Sequence, residues 1–241
     1  MLTFGKGNAK LNTTIYTFAL PAGYTCPGAS DCLTWANKNT GKIKDGKDQK
    51  FRCFSASQEA CFPSARKARW KNFEQLQEAL KEGVAKTADL IEKSLPAKAQ
   101  TVRIHVSGDF FSQDYFDAWL EVSKRNPTKK FYGYTKSLHF WEKRHQEIPE
   151  NFRLTASYGS KWDEKIDENE FHSSVVISHP DEAKGLAIDH DDSNAYKDGR
   201  PKQFALLLHG VQPKDTPAAK AIARLKKEQV EFSYSKTKHQ A

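Results

Sequence analysis

All four cysteines of the chain fall between Tyr24 and Cys61, in the stretch "YTCPGASDCLTWANKNTGKIKDGKDQKFRCFSASQEAC". Thiolates are soft ligands that suit zinc or an iron–sulfur cluster. Five residues separate Cys26 from Cys32, twenty separate Cys32 from Cys53, and seven separate Cys53 from Cys61. None of these is the C-x-x-C knuckle of a zinc ribbon. Pro27 and Gly28 supply a tight turn that aims the Cys26 sulfur. The expectation is a metal site shared among Cys26, Cys32, Cys53 and Cys61. Cys61 has an alternative role, packing at the start of a long helix in "ACFPSARKARW". The opening "MLTFGKGNAKLNTT" has no apolar h-region of a signal peptide, and no apolar run reaches the roughly 20 residues of a membrane helix. These features predict a cytoplasmic protein off the membrane. Thiols stay reduced there, and clustered cysteines favour metal or redox chemistry over disulfides.

Something must carry these thiols, and the hydrophobic pattern says what. "TVRIHVSGD" (101–109) alternates at the period of a strand, with Val102, Ile104 and Val106 on one side and Arg103, His105 and Ser107 on the other. Six such strands are predicted: 13–21, 101–108, 129–136, 152–158, 173–179 and 203–209. Helical patterns separate them. One helix begins at "SQDYFDAWLEVSKRNP", with Ser112 as its N-cap. A long amphipathic helix is expected from Ser64 to Leu95, with Phe73, Leu76, Leu80, Val84, Ala88 and Ile91 in one stripe. Others fall in "LHFWEKRHQEIP", "KWDEKIDENEFH" and, last, residues 218–230. Strands alternating with helices argue for parallel βαβ units. The predicted fold is α/β: a single domain over 1–241 forming a partial (β/α)6 TIM-like barrel, with the cysteine-bearing loop (25–61) after the first strand. The long stretch 180–202, containing "AIDHDDSNAYKDGRPK", is the candidate functional loop, because long loops inside compact domains usually have a job.

In such barrels the functional groups come from the C-terminal strand ends. Here those ends carry Ser107–Gly108–Asp109, Lys136, Ser157, His179 and His209. His105 lies mid-strand facing the lumen, where a histidine is more often a satisfied core residue than a catalyst.

Charge adds a second theme. The chain has 38 Lys and Arg against 30 Asp and Glu, a net +8. The excess gathers in Lys42–Arg52, Arg66–Lys71 and Lys220–Lys227. A basic balance allows a polyanionic partner. Trp35, Phe51 and Trp70 are interleaved among these cations, as in proteins that stack nucleic-acid bases. No P-loop, Gly-x-Gly-x-x-Gly or Gly-x-Ser-x-Gly motif is present. The "IDHDDS" acids Asp189, His190, Asp191 and Asp192 have two readings: a divalent-metal site, or Asx turns and helix caps.

The segments "TCPGASDC", "RCFSASQEA", "RIHVSGDFFSQDYFDAW", "FYGYTKS", "LTASYG", "IDHDDSNA" and "FALLLHG" resemble the phage and plasmid gene product 88 family from about Thr13 to Tyr234. The cysteine pattern is also similar to that of radical S-adenosylmethionine enzymes. In those enzymes three cysteines after the first strand, the last followed by an aromatic residue (here Phe54), hold a [4Fe–4S] cluster. Its open iron chelates the cofactor, and a Gly-Gly-Glu-like segment ends the second strand. That resemblance implies Cys26, Cys32 and Cys53 as cluster ligands, with Ser107, Gly108, Asp109 and Ser157 toward S-adenosylmethionine. It places Asp109, Lys136 and His209 in catalytic positions. The spacing of the second and third cysteines and the Asp in place of Glu depart from the radical-enzyme pattern. A fourth ligand at Cys61 would close the cluster against a cofactor. The expected function is an iron–sulfur protein performing a radical modification of an unknown substrate. The alternative is a module stabilised by iron–sulfur or zinc that binds nucleic acid or a host protein.

Overall fold

The computed structural model describes residues 1–8 and 10–231. The end of the resemblance, at Tyr234, lies outside the described residues. The chain begins with β1 (Gly5–Lys6) and β2 (Ile15–Ala19), then a hairpin of β3 (Thr34–Ala36) and β4 (Ile43–Asp45). Three helices follow: α1 (Phe54–Cys61), α2 (Pro63–Leu80) and α3 (Val84–Ser94). Then come β5 (Thr101–Ser107), α4 (Gln113–Arg125), β6 (Lys130–Thr135), α5 (Leu138–Glu142), β7 (Phe152–Ser157) and α6 (Glu164–Glu168). The chain continues through β8 (Ser173–Ile177), α7 (Ser193–Tyr196), β9 (Gln203–Leu207) and α8 (Pro217–Lys227). All six strands expected from the sequence are present, as β2 and β5 to β9.

These six strands are parallel and stand in sequential order, with β1 added antiparallel at the edge. The edges β1 and β9 do not pair, so the seven-stranded sheet stays open. Each strand pairs with its predecessor, so right-handed crossovers put the helices on one face. The packing agrees. Val102, Ile104, Phe131, Phe152 and Leu154 bury against Leu76, Ile91 and Trp119 of the helices. The opposite, inner face carries Ile15, Tyr132 and Phe204, covered by Leu11 and by Ala195 of α7. A further cluster seats α8 on β8 and β9 through Ile177, Leu207, Ile222 and Leu225.

The long helix expected over 64–95 is two helices. Gly83 adopts φ +100 between them, with open space where a Cβ would stand. A left-handed residue cannot continue a right-handed helix, so the stripe turns a corner there. By contrast α4 starts where its pattern says: the Ser112 hydroxyl accepts from Tyr115 N at 3.2 Å.

His105 corrects the alternation in β5. Its φ is +62, and the β2–β5 register slips from Thr17↔Arg103 to Ala19↔Ser107. This bulge turns His105 away from the lumen into the helix-side core, beside Phe18, Phe110 and Tyr115. It also sends Val106 to the inner face. The Tyr115 hydroxyl accepts from Trp119 Nε1 at 2.8 Å and shares a hydrogen bond with His105 Nε2, 2.9 Å away. Burial pulls the His105 pKa down to about 3, which holds the ring neutral. The unfolded chain protonates this ring below about pH 6.5, whereas the folded chain resists. The stability it contributes is complete above pH 6.5 and is lost as pH falls toward 3. Asp109, whose pKa burial raises to about 6, acts the other way between its unfolded value and 6. Urea unfolding of His105→Asn, a residue that tolerates φ above zero, should show a shallower loss between pH 6.5 and 4 than the parent. An unchanged acid limb would mean that His105 is not its source.

Candidate functional site

Three stretches of backbone bring Cys26, Cys32 and Cys53 to the C-terminal end of the sheet. The first is the turn after β2. Gly28 approaches so closely that a Cβ on it would stand 1.9 Å from the Lys136 carbonyl oxygen at the end of β6. Ser30 N and Asp31 N both donate to Gly159 O at 3.1 Å, and Lys161 N donates to Gly28 O at 2.9 Å. The loop thus lies across the ends of β6 and β7. The second stretch is the β3–β4 hairpin, which absorbs the twenty residues between Cys32 and Cys53. Phe51 N returns to Asp31 O at 3.1 Å, and Cys53 N donates to Thr34 Oγ1 at 3.1 Å, so the hairpin closes and sets Cys53 near Cys32. The third is the start of α1, where Cys53 is the N-cap.

The three thiols interact electrostatically with one another. Burial pushes the Cys32 thiol up to about 12, with Cys53 and Asp109 adding to the rise and Lys136 opposing it. Burial also raises Cys26 and Cys53; the Ala56 and Ser55 amides at the start of α1 pull Cys53 back. Thiols in this state ionise only beside a strong positive charge, which a bound metal supplies. All four cysteines are free, and Cys61 is exposed at the far end of α1. Eight residues at 1.5 Å each put it about 12 Å along the helix from Cys53. The structure does not bring Cys61 to the other three. Among the described residues, no group of three or more His, Cys, Asp or Glu side chains is placed to hold a metal ion.

Beneath Cys32 and Cys53 opens a cavity of ≈ 250 Å³ on the inner face of the sheet. Lys136, Ser157 and His209 line it, as their strand-end positions predict. Lys136 is buried, and its ammonium donates to Ser157 O and Ser157 Oγ, both at 3.0 Å, and to Tyr158 O. His209 packs edge-on to Phe54 at 4.7 Å, and burial lowers its pKa to about 4, leaving a neutral ring at pH 7.

Ser107, Gly108 and Asp109 are placed differently. The Ser107 hydroxyl donates to Leu20 O at 2.8 Å and lies 3.2 Å from Glu59 Oε1. Gly108 has φ +80, and a Cβ there would meet Thr25 Oγ1 at 2.5 Å. Asp109 accepts from Thr135 Oγ1, Lys136 N and Phe110 N at 2.7–2.8 Å. The segment is buried in the fold, where it latches the cysteine loop, β5 and β6 together.

The sequence pattern missed the far end of the cavity. Asp192, fully buried with φ +65, pairs with Lys10 at 2.7 Å and with Arg103. The Tyr132 and Tyr134 hydroxyls stand 3.4 Å from it. The sequence points to Asp192 and the 180–202 loop, and the alternation of β5 puts Arg103 opposite Val102 and Ile104, but nothing in it pairs the two. Asp189 accepts from Asp191 N at 2.9 Å and Asn194 N at 3.0 Å, and Asp191 from Ser193 N at 3.0 Å. These are turn-forming contacts, and the ion pairs hold the 180–202 segment as the wall of the cavity. Glu59 was missed as well. Its Oε1 binds Arg69 at 3.0 Å and Ala22 N at 2.9 Å, tying α1 and α2 to the residues just before Cys26.

Neither the curated proteins nor the solved structures provide a match to this chain. Residues 2–228 match the family model described as gene product 88. That match takes in every element that positions the thiols and the cavity, and the chain belongs to the gene product 88 family.

Proposed function

We propose that this protein is an iron–sulfur enzyme built on a partial (β/α)6 TIM-like barrel, with Cys26, Cys32 and Cys53 as cluster ligands over a substrate cavity. The observation that supports the reading is that Cys26 and Cys32, in the loop after β2, and Cys53, at the start of α1, lie close enough to interact electrostatically at the C-terminal end of the parallel sheet. Cys32 and Cys53 line the cavity below. Soft thiolates suit a [4Fe–4S] cluster, which three cysteines can hold. With Cys61 exposed, Cys26, Cys32 and Cys53 would hold the cluster, which would supply one-electron chemistry beside the cavity. Lys136 and Ser157 offer polar contacts to a ligand beside the thiols, and the neutral His209 ring offers a proton acceptor. The Lys10–Asp192–Arg103 group closes the other end. The Ser107–Gly108–Asp109 segment does not fit a cofactor-binding role, because its polar atoms are spent inside the fold. That segment therefore offers S-adenosylmethionine no contact, and the radical chemistry rests on the cysteine pattern.

The reading places the protein in the reducing cytoplasm; no helix among the described residues is long and apolar enough to cross a membrane. Anaerobic reconstitution with iron and sulfide should give stoichiometric iron, acid-labile sulfide and broad charge-transfer absorbance in the visible region. Protein that takes up no iron under these conditions, or zinc alone, would exclude the reading.

A further inference from the structure

The face of α2 that points away from the sheet has a composition the cysteine site does not explain. Pro63, Arg66, Lys67, Trp70, Lys71 and Glu74 recur at helical spacing and, with Lys38 from the hairpin, line an open groove of ≈ 570 Å³. Lys67 and Lys71 are both exposed, one turn apart, in an i,i+4 like-charge pair that destabilises a helix. Among the described residues, no carboxylate pairs with either. Arg66 is buried below them and bonds only backbone carbonyls: Lys38 O at 3.0 Å, Asn39 O at 3.4 Å, and Glu59 O. The two exposed ammonium groups, with no carboxylate beside them, give this face a positive potential that favours an anionic partner. Asn37–Glu74 carries ten Lys and Arg against four Asp and Glu, most of the chain's net positive charge.

Aromatic rings stand among these cations. Trp70 lines the groove, with the edge of Tyr24 against it at 4.8 Å and Phe73 behind it at 5.9 Å. Tyr24 is 43% exposed, and Phe62, one residue before α2, is 56% exposed. Lys38 stands 5.2 Å over the Trp70 ring, held there by Glu74. Cations that follow a phosphate backbone, alternating with rings on which bases stack, are the chemistry of single-strand binding.

We infer that this groove binds single-stranded nucleic acid, with Lys67 and Lys71 facing phosphates and Trp70 and Tyr24 stacking on bases. The inference stands independently of the cysteine site. Fluorescein-labelled dT and rU oligonucleotides of about 15 nucleotides, within the span of known single-strand sites, test it by anisotropy with the full chain. Binding should weaken linearly on a log–log salt plot. The K67E/K71E double variant should lower affinity at least tenfold and flatten the slope by about 1.4, at about 0.7 per phosphate contact. Its melting temperature should not fall, since both side chains are exposed. Trp70→Leu should weaken binding by roughly tenfold while Trp70→Phe retains it. The tighter of the two oligonucleotides identifies DNA or RNA as the ligand. No binding at low salt, equal binding to a duplex, or an unchanged K67E/K71E variant would overturn the proposal.

Discussion

Alanine at Cys26, Cys32 or Cys53 should each remove most of the iron from anaerobically reconstituted protein, while Cys61→Ala should retain it in full. The contrast follows from position rather than from residue type. The first three thiols are partly buried and interact with one another, whereas Cys61 is exposed at the opposite end of α1. Loss of one ligand also leaves the other two thiols in surroundings that keep them protonated, so the remaining site competes poorly for metal. Iron and sulfide analysis, with the visible absorbance, reads the result. Iron retained by the Cys26/Cys32/Cys53 triple variant would sink the assignment. Loss on Cys61→Ala alone would make the cluster four-ligated and closed, and would remove the open iron from the mechanism.

Gly28→Ala should be the most damaging single substitution outside the thiols. The added methyl would stand 1.9 Å from the Lys136 carbonyl oxygen and 2.4 Å from its carbon. Both are backbone atoms at a strand end, so neither can swing aside, and the loop must lift from the sheet instead. Lifting also breaks the Ser30, Asp31 and Lys161 hydrogen bonds that dock it. A loss of about 3–5 kcal/mol is expected, in the range of severe steric substitutions. Iron uptake should fall with it. Gly185→Ala is the control: that glycine has positive φ, but nothing lies within 4 Å of the added methyl. It should cost only the roughly 1–2 kcal/mol of a left-handed alanine and leave iron binding intact. Denaturant midpoints and iron content together separate the two, and a Gly28→Ala protein with parental values for both would refute the docking argument.

The parts of this molecule legible in the sequence are those governed by short-range pattern. The six parallel strands follow from alternation and apolar runs, and the start of α4 follows from Ser112. The convergence of Lys136, Ser157 and His209 on one cavity follows from the strand-end rule. What stayed hidden depends on partners distant in sequence. His105 broke the alternation because a bulge against β2 reversed its face, and only the register between β2 and β5 reveals that. Gly83 was readable as a breaker, but the apolar stripe ran across it and concealed the corner. Asp192 looked like one more loop acid, because Lys10 and Arg103, its counter-charges, come from far along the chain. Glu59 sits in a helix too short to declare a buried face, and its role depends on Arg69 and on the amide of Ala22. Ser107–Gly108–Asp109 was correctly placed at a strand end, yet position alone could not say whether its oxygens faced a ligand or the protein.

The sequential strand order also bears on how the chain reaches this state. From β6 onward, each strand meets its predecessor across about 17–30 residues, as in Ala156↔Ser173 and Ser173↔Gln203. The pairing Ile15↔Thr101 spans far more chain. The loop-closure entropy of that step exceeds the others by only about 1 kcal/mol, but it must wait for β5 to be synthesised. Until then the whole cysteine segment hangs in an unclosed loop, without the ends of β6 and β7 to lie on. The thiols gain their shared environment late, so any metal they hold would be loaded after closure of the sheet rather than during emergence of the nascent chain.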